Sequence, residues 1–287
     1  MRYFFIDAQR ALLDLSLCRL CQLLCVSVSG YYAWRTRGPS KHCLEDRRLL
    51  AHIRIVYERN RQAYGSLRVW HELTEAGVAV GRDRVARLMR ENGLIVLRRQ
   101  RFKKTTDSRH NKAVAPNLLK QDFTALHSNQ KWVADISYIW TLEGWLYLSC
   151  IIDLYSRRVV GWAVDKRMTK DLPLRALKQA IAARQPGEGL IHHSDRGSQY
   201  CSDDYQLLLN KQGVQISMSG KGNCYDNAPM ESFFKTIKAE LIWKTIFQTR
   251  RQAKTQIQSY IEGFYNPYRR HSTLAFTSPI KFERINS

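Results

Sequence analysis

Three acidic residues in this chain are placed where a carboxylate could do chemistry. Asp135 lies in the segment KWVADISYI, Asp195 closes LIHHSD, and Glu231 begins an amphipathic stretch, with 35 residues between the last two. Each ends a short apolar segment or opens a helix, so a reactive group can reach solvent beside a core. Three converging acids in a chain of net charge +21 would make a hard-oxygen site for Mg²⁺ within an electropositive surface. Two such ions, roughly 3.5–4 Å apart, can clamp the attacking and leaving oxygens of an in-line phosphoryl displacement. Mn²⁺ would be able to substitute. That combination suits phosphodiester chemistry on nucleic acid.

The stretch from Glu231 has two faces at helical spacing. Glu231, Lys235 and Lys238 project together, while Met230, Phe233, Phe234, Ile237 and Leu241 form an apolar face beside them. The first face offers a metal ligand and two cations for phosphates. A plain Glu–Lys pair on a solvated helix is the alternative. The Gly- and Asn-rich loop 217–229 precedes the helix, and its Lys221, Asn223 and Tyr225 are candidates to face DNA. Other acids have simpler roles: Asp153 as a turn cap, Asp165, Asp203 and Asp204 as caps or solvated groups, and Asp226 as the N-cap of the Glu231 helix. His192 and His193 read as structural.

The elements that must position these groups begin at residue 131. Strands are expected at 131–139, 144–152 and 158–164, antiparallel because short turns join them. A helix over 170–184, a strand at 189–193, a helix near 203–212, a strand at 214–218 and a long helix from about 228 follow. This order predicts a mixed five-stranded sheet with helices on its faces, an α/β fold. Asp135 and Asp195 would be neighbours if their strands pair. A helix at 249–264 and a basic turn, NPYRRH at 266–271, come after.

Upstream, the chain reads as all-α. Two helices over 14–36, joined by a turn at 26–30 with Ser27 or Ser29 as cap, could be a small helix-turn-helix or an ordinary hairpin. Residues 44–93 form a three-helix unit. Its first helix would bury Leu49, Ile53 and Val56. The second would run from Ser66 to Ala76, burying Leu67, Trp70 and Leu73 and stopping at Gly77. The third, over about 82–92, would bury Val85, Leu88 and Met89 and stop at Gly93. Arg84 and Arg87 share the other face of that helix, either against DNA or merely solvated. Residues 98–112 carry Arg98, Arg99, Arg101, Lys103 and Lys104 with a single acid, Asp107, and read as a basic linker able to follow phosphates. The expected domains are 1–42, 43–97, the linker 98–128, a catalytic core 129–245 and a C-terminal helix and tail 246–287.

Composition limits the class. A hydrophobic content of 44% argues for a folded protein rather than a disordered polycation. Residues 1–130 carry 24 Lys and Arg against 11 Asp and Glu, and the remainder 22 against 14, so both halves favour a polyanionic partner. No apolar run approaches eighteen residues, and the charged start does not suit a secretory signal, so a cytosolic protein without a membrane span is expected. Cys18, Cys21 and Cys25 follow an apolar helical stripe and have no fourth ligand at finger spacing, so zinc is disfavoured.

Taken together, these segments resemble one family. WVADISY at 132–138, GWLYL at 144–148, IDLYSR at 152–157, VGW at 160–162, HSDRGSQY at 193–200, GNCYDNA at 222–228 and ESFF at 231–234 match its motifs, with Lys238 seven residues after the glutamate. YNPYRRHST at 265–273 and SPIKFE at 278–283 extend the match. The chain resembles the OrfB transposase of the IS-three family of bacterial insertion sequences. That resemblance implies an RNase H-like, retroviral-integrase-like core behind helix-turn-helix-like domains, and a DDE triad at Asp135, Asp195 and Glu231. It implies Mg²⁺-dependent cleavage and strand transfer of double-stranded DNA, on the element's terminal inverted repeats and on target DNA. It also implies a homo-oligomer on DNA, an upstream OrfA product or fusion, and a nucleoid-associated bacterial protein. A non-catalytic DNA-binding regulator of transposition is the competing reading.

Overall fold

The computed structural model describes residues 1–10, 15–96, 114–220 and 223–286. They fall into two compact units, Met1–Ile55 and Val56–Ser287.

The first unit packs α1 (Arg2–Gln9), α2 (Leu17–Leu23) and α3 (Val28–Thr36) around Ile6, Leu20, Cys21 and Tyr31. Helix α1 was not foreseen. Ser27 caps α3 by accepting from the Gly30 amide at 3.0 Å. Gly30 has a steric reason to be glycine: a Cβ there would lie 2.3 Å from the Tyr3 hydroxyl. The expected cysteine stripe is corrected. Of the three, Cys21 enters the core; Cys18 is exposed within α2, and Cys25 lies past the end of that helix at φ of 51°.

Helix α4 (Lys41–Arg59) starts in the first unit, and its last turn belongs to the second. It buries Leu49, Ile53 and Tyr57, while Val56 is only half-buried. Helices α5 (Ser66–Glu75) and α6 (Arg82–Glu91) stop before Gly77 and Gly93, both at positive φ, as their sequence predicts. The inward face of α5 differs from expectation. Val69 and Leu73 are buried, Leu67 is exposed, and Trp70 stays at the margin, where its indole N–H reaches the Val80 carbonyl at 2.9 Å.

The sheet follows: β1 (Lys131–Thr141), β2 (Gly144–Asp153), β3 (Val159–Asp165), α7 (Asp171–Arg184), β4 (Ile191–Ser194), α8 (Asp203–Lys211) and β5 (Gln215–Met218). Strand order is β3-β2-β1-β4-β5, with β1, β2 and β3 antiparallel and β1, β4 and β5 parallel. Helices α7 and α8 cover one face over Trp132, Ala134, Ile151, Leu177, Tyr205 and Leu209. At Gly161 in β3 an added Cβ would sit 2.2 Å from the Ala176 carbonyl oxygen, so the absence of a side chain sets the close approach of α7. The result is an RNase H-like mixed sheet flanked by helices, with helical elements upstream.

Helix α9 (Ala228–Glu240) buries Met230, Phe233, Phe234 and Ile237. Helix α10 (Arg250–Tyr260) runs into a π-turn at Ile261–Tyr265, and α11 (Pro279–Asn286) ends the described chain. The segment 266–271, read from sequence as a basic turn, is tied into the fold by its side chains. Asn266 both accepts from and donates to the backbone of Val159, satisfying the edge of β3 at its first residue as a neighbouring strand would. Arg269 is 5% exposed and pairs with buried Glu240 on α9. Arg270 reaches Glu72 at 2.5 Å, and Glu75 as well, on α5. Carboxylates supplied by distant helices draw these cations inward, a pairing that local composition cannot show.

Candidate active site

Asp135 sits in the central strand, opposite fully buried Cys150 of β2. On its other side β1 pairs in parallel with β4, Val133 facing His193. Asp135 and Asp195 each lie two residues beyond this last paired position, so the end of β4 brings Asp195 to the level of Asp135. Strand β4 ends at Ser194, and Asp195 begins the turn beyond it. Its Oδ1 accepts from the Gly197 amide at 2.9 Å, and a Cβ at Gly197 would come within 3.0 Å of that oxygen. Glu231 lies exposed in the first turn of α9, which packs beside β1.

Electrostatics link the three. Burial pushes the Asp135 carboxyl well above the usual carboxylate range, and the charges of Asp195 and then Glu231 push it further. The Ile136 amide, donating to Asp135 Oδ1 at 2.7 Å, and the charge of Lys238 act the other way. Lys238 is half-buried, and its pKa is lowered by burial against the opposing pull of Asp135; its Nζ lies 4.8 Å from the Tyr138 ring centroid. Lys235 is exposed one turn after Glu231. Among the described residues, no three acidic, His or Cys groups close to the spacing of a single-ion cage. The arrangement is a looser cluster of mutually repelling carboxylates, a donor set matched to hard divalent cations that would relieve the repulsion.

A residue that the sequence reading passed over holds this geometry. Asn227, at the N-cap position of α9, is 6% exposed, and its Nδ2 donates to the Ala134 carbonyl at 3.1 Å. Ladder pairing between β1 and β4 ends at Val133, so Asn227 satisfies a strand carbonyl just before Asp135. Asp226, expected as the cap, does something else. Its carboxylate takes the side chains of Asn117, Gln121 and Asn223 and the Gly220 amide, tying the loop at 117–121 to the one that leads into α9. The signal was present as consecutive polar residues before a helix opening with Pro229, but a single cap absorbed it.

The remaining candidates separate. Asn223 is engaged within the loop, accepting from the Tyr225 amide at 3.1 Å as well as donating to Asp226, whereas Tyr225 is 72% exposed. Arg84 and Arg87 are half-buried rather than fully outward, and Arg87 pairs with Glu91 at 2.9 Å; Arg82 and Arg90 are the exposed cations of α6. A ten-residue helix with three core positions leaves its flanking positions at the packing margin. Lys221, Arg98, Arg99, Arg101, Lys103 and Lys104 lie outside the described residues. His192 and His193 are buried, held by Tyr205, Ser217 and Ser219, and burial lowers the pKa of both. Asp153 caps its turn as expected, accepting from Tyr155 and Asn129 amides.

The sheet order, with acids at the end of β4, in β1 and on α9, defines an integrase-type core. Sequence models agree: an integrase core domain matches residues 125–224, a second integrase core model matches 212–279, and an HTH-like domain matches 44–102. The chain is 41% identical over 294 aligned residues to "Transposase InsF for insertion sequence IS3A" of Escherichia coli (strain K12), covering 100% of this chain and 99% of the relative. It is 49% identical over 263 residues to "Insertion element IS600 uncharacterized 31 kDa protein" of Shigella sonnei, covering 92% and 97%. The chain belongs to the IS3 family of insertion-sequence transposases. Among solved structures, a simian T-cell lymphotropic virus intasome in complex with a PP2A regulatory subunit matches with a TM-score of 0.47 at 13% identity, covering 77% of this chain and 70% of that one. The HTLV-2 integrase catalytic core domain in complex with magnesium matches with a TM-score of 0.43 at 14% identity, covering 56% and 99%. Among the described residues, no helix is long and apolar enough to cross a membrane.

Proposed function

We propose that this chain cuts and joins DNA strands at the ends of an insertion sequence, with Asp135, Asp195 and Glu231 as the acidic triad. What supports the reading is the placement of the three acids, Asp135 within β1, Asp195 just past the neighbouring strand β4 and Glu231 in the first turn of α9 packed beside β1, with the charges of the other two raising the Asp135 carboxyl after burial does. The three carboxylates would hold Mg²⁺, or Mn²⁺ in its place, and the metal would polarise the scissile phosphate and its attacking oxygen. Lys238, beside Asp135, and exposed Lys235 would hold the DNA backbone, with Tyr225 on the loop before them. Asn227 keeps the base of α9 against β1, so Glu231 and Asp135 approach the same phosphate. The helices upstream, the basic segment from Arg98 to Lys104 and Lys221 would bind duplex DNA at terminal repeats and target. Assembly as a homo-oligomer on DNA, together with an upstream OrfA product or fusion, fits this role in the bacterial nucleoid. The proposed domains are those expected from sequence, with catalysis assigned to 129–245.

Asp135→Asn, Asp195→Asn and Glu231→Gln test the triad. Each keeps size and removes a charge that holds the metal. Strand cleavage and transfer of a labelled element end into plasmid should be lost in all three, with affinity for duplex ends retained. Near-normal transfer in Mg²⁺ by any one variant would remove that residue from the triad.

A further inference from the structure

The β1–β2 hairpin carries a run of aromatic rings that the triad does not use. Tyr138 and Trp140 alternate on one face of β1, about 7 Å apart along the strand, and Trp145 of β2 pairs with Trp140. Trp140 and Trp145 meet edge to face with centroids 4.8 Å apart, and Tyr138 and Trp145 do so at 5.2 Å. An edge-to-face pair occupies a single ring face, and Trp140 is 56% and Trp145 44% exposed. By strand alternation the rings lie on the face of β1 opposite Asp135, and Lys238 links the two, sitting over the Tyr138 ring while feeling the charge of Asp135. At its outer end Arg250 donates from Nε to the Trp145 carbonyl at 3.1 Å; the nearby acid, Glu143, accepts from the Arg250 amide.

We infer that Tyr138, Trp145 and Trp140 form a stacking platform for the unpaired bases of a DNA strand leading away from the scissile phosphate. The inference rests on the DNA-cutting role proposed above. Rings interleaved with cations suit nucleic acid, since bases stack on the rings while phosphates meet Lys238 and Arg250. A paired strand keeps its base faces stacked inside the duplex, so only an unpaired strand can offer them. An apolar protein partner would not call on the two cations that bracket the rings.

The test uses the full chain in EDTA, so that no strand is cut. Binding of a short oligothymidine and of a blunt duplex is compared by fluorescence polarisation at one salt concentration. Trp140→Ala and Trp145→Ala should each weaken oligothymidine binding about tenfold, the size of one lost base–aromatic stack, and leave duplex binding unchanged. Trp140→Phe should retain most of the affinity. Trp140→Leu, which keeps apolar bulk without a ring, should lose it as alanine does. A 2-aminopurine base in the oligonucleotide should be quenched by the parent chain and not by the alanine variants. Equal losses on both probes, retention by Trp140→Leu, or no loss at all would overturn the platform. So would a change in sedimentation coefficient caused by the alanine variants, which would give the patch to a second copy of the chain. Thermal melting of each variant separates these outcomes from unfolding. Because binding is read without metal, a failed platform leaves the triad assignment standing, and an active Asp135→Asn chain would overturn the triad without touching the binding result.

Discussion

Replacing Arg269 by methionine should destabilise the second unit by about 3–5 kcal/mol, the range for removing one partner of a buried ion pair. Both side chains are almost fully enclosed, at 5% and 7% exposure. Arg269 donates to Glu240 through three short contacts, Nε to both carboxylate oxygens at 3.0 and 2.8 Å and Nη2 to Oε1 at 2.7 Å. Without it, Glu240 keeps the Tyr260 hydroxyl at 2.7 Å as its remaining side-chain donor of those described, and its negative charge stays inside. Coulomb attraction through a protein interior is large, but so is the desolvation of each ion, so the pair as a whole contributes far less than its rupture costs. The double variant Glu240→Gln/Arg269→Met removes both charges and should recover more than half of the loss. Urea denaturation followed by tryptophan fluorescence gives the midpoints, compared at unchanged slope. Because Glu240 ends the helix that begins near Glu231, strand transfer should fall further in the single than in the double variant. Equal destabilisation by the single and double changes would refute the account, since it would make Arg269 a packing residue and not a counter-charge.

Asn227→Asp keeps shape but loses the donor to the Ala134 carbonyl and buries a charge; it should lower stability by about 2–3 kcal/mol and abolish transfer, measured by melting and the plasmid assay. Gly161→Ala should destabilise by roughly 1–3 kcal/mol because α7 must back away from β3, and unchanged melting would show that the helix can give. Acid should weaken the contact between α5 and the C-terminal segment. Hydrogen bonds from Lys281 and then Arg270 hold Glu75 down at about 2. A depressed carboxylate contributes stability that is complete above its unfolded value near 4.5 and lost as pH falls towards 2. Half-exposed, it is worth roughly 1 kcal/mol after solvent screening, and Glu75→Gln should flatten the melting profile across that window. Alanine at exposed Arg82 and Arg90 should reduce duplex affinity more than alanine at Arg84 and Arg87, read by titration at fixed salt, with the latter pair lowering melting as well.

Local rules were enough for much of this chain. Alternation and short turns placed β1, β2 and β3, helix stops fell at Gly77 and Gly93, and the two faces of α9 followed from i, i+4, i+7 spacing, with Phe233 and Phe234 inward and Glu231 and Lys235 outward. The three candidate acids and the family could be picked out because each acid sits in a motif, Asp135 within β1, Asp195 just past β4 and Glu231 in the first turn of α9. Periodicity within one element cannot say which distant element will meet it. That is why Arg269 and Arg270 read only as part of a basic turn, with no hint that Glu240, Glu72 and Glu75 would meet them from helices far away in sequence. Asn227 likewise had no visible purpose before β4 stopped short and left the Ala134 carbonyl to be satisfied. The choice between Leu67 and Val69 on α5, and the half-burial of Arg84 and Arg87, also depended on what packs alongside. Backbone periodicity is encoded by neighbours in sequence, while burial of charge and completion of hydrogen bonds are set by neighbours in space.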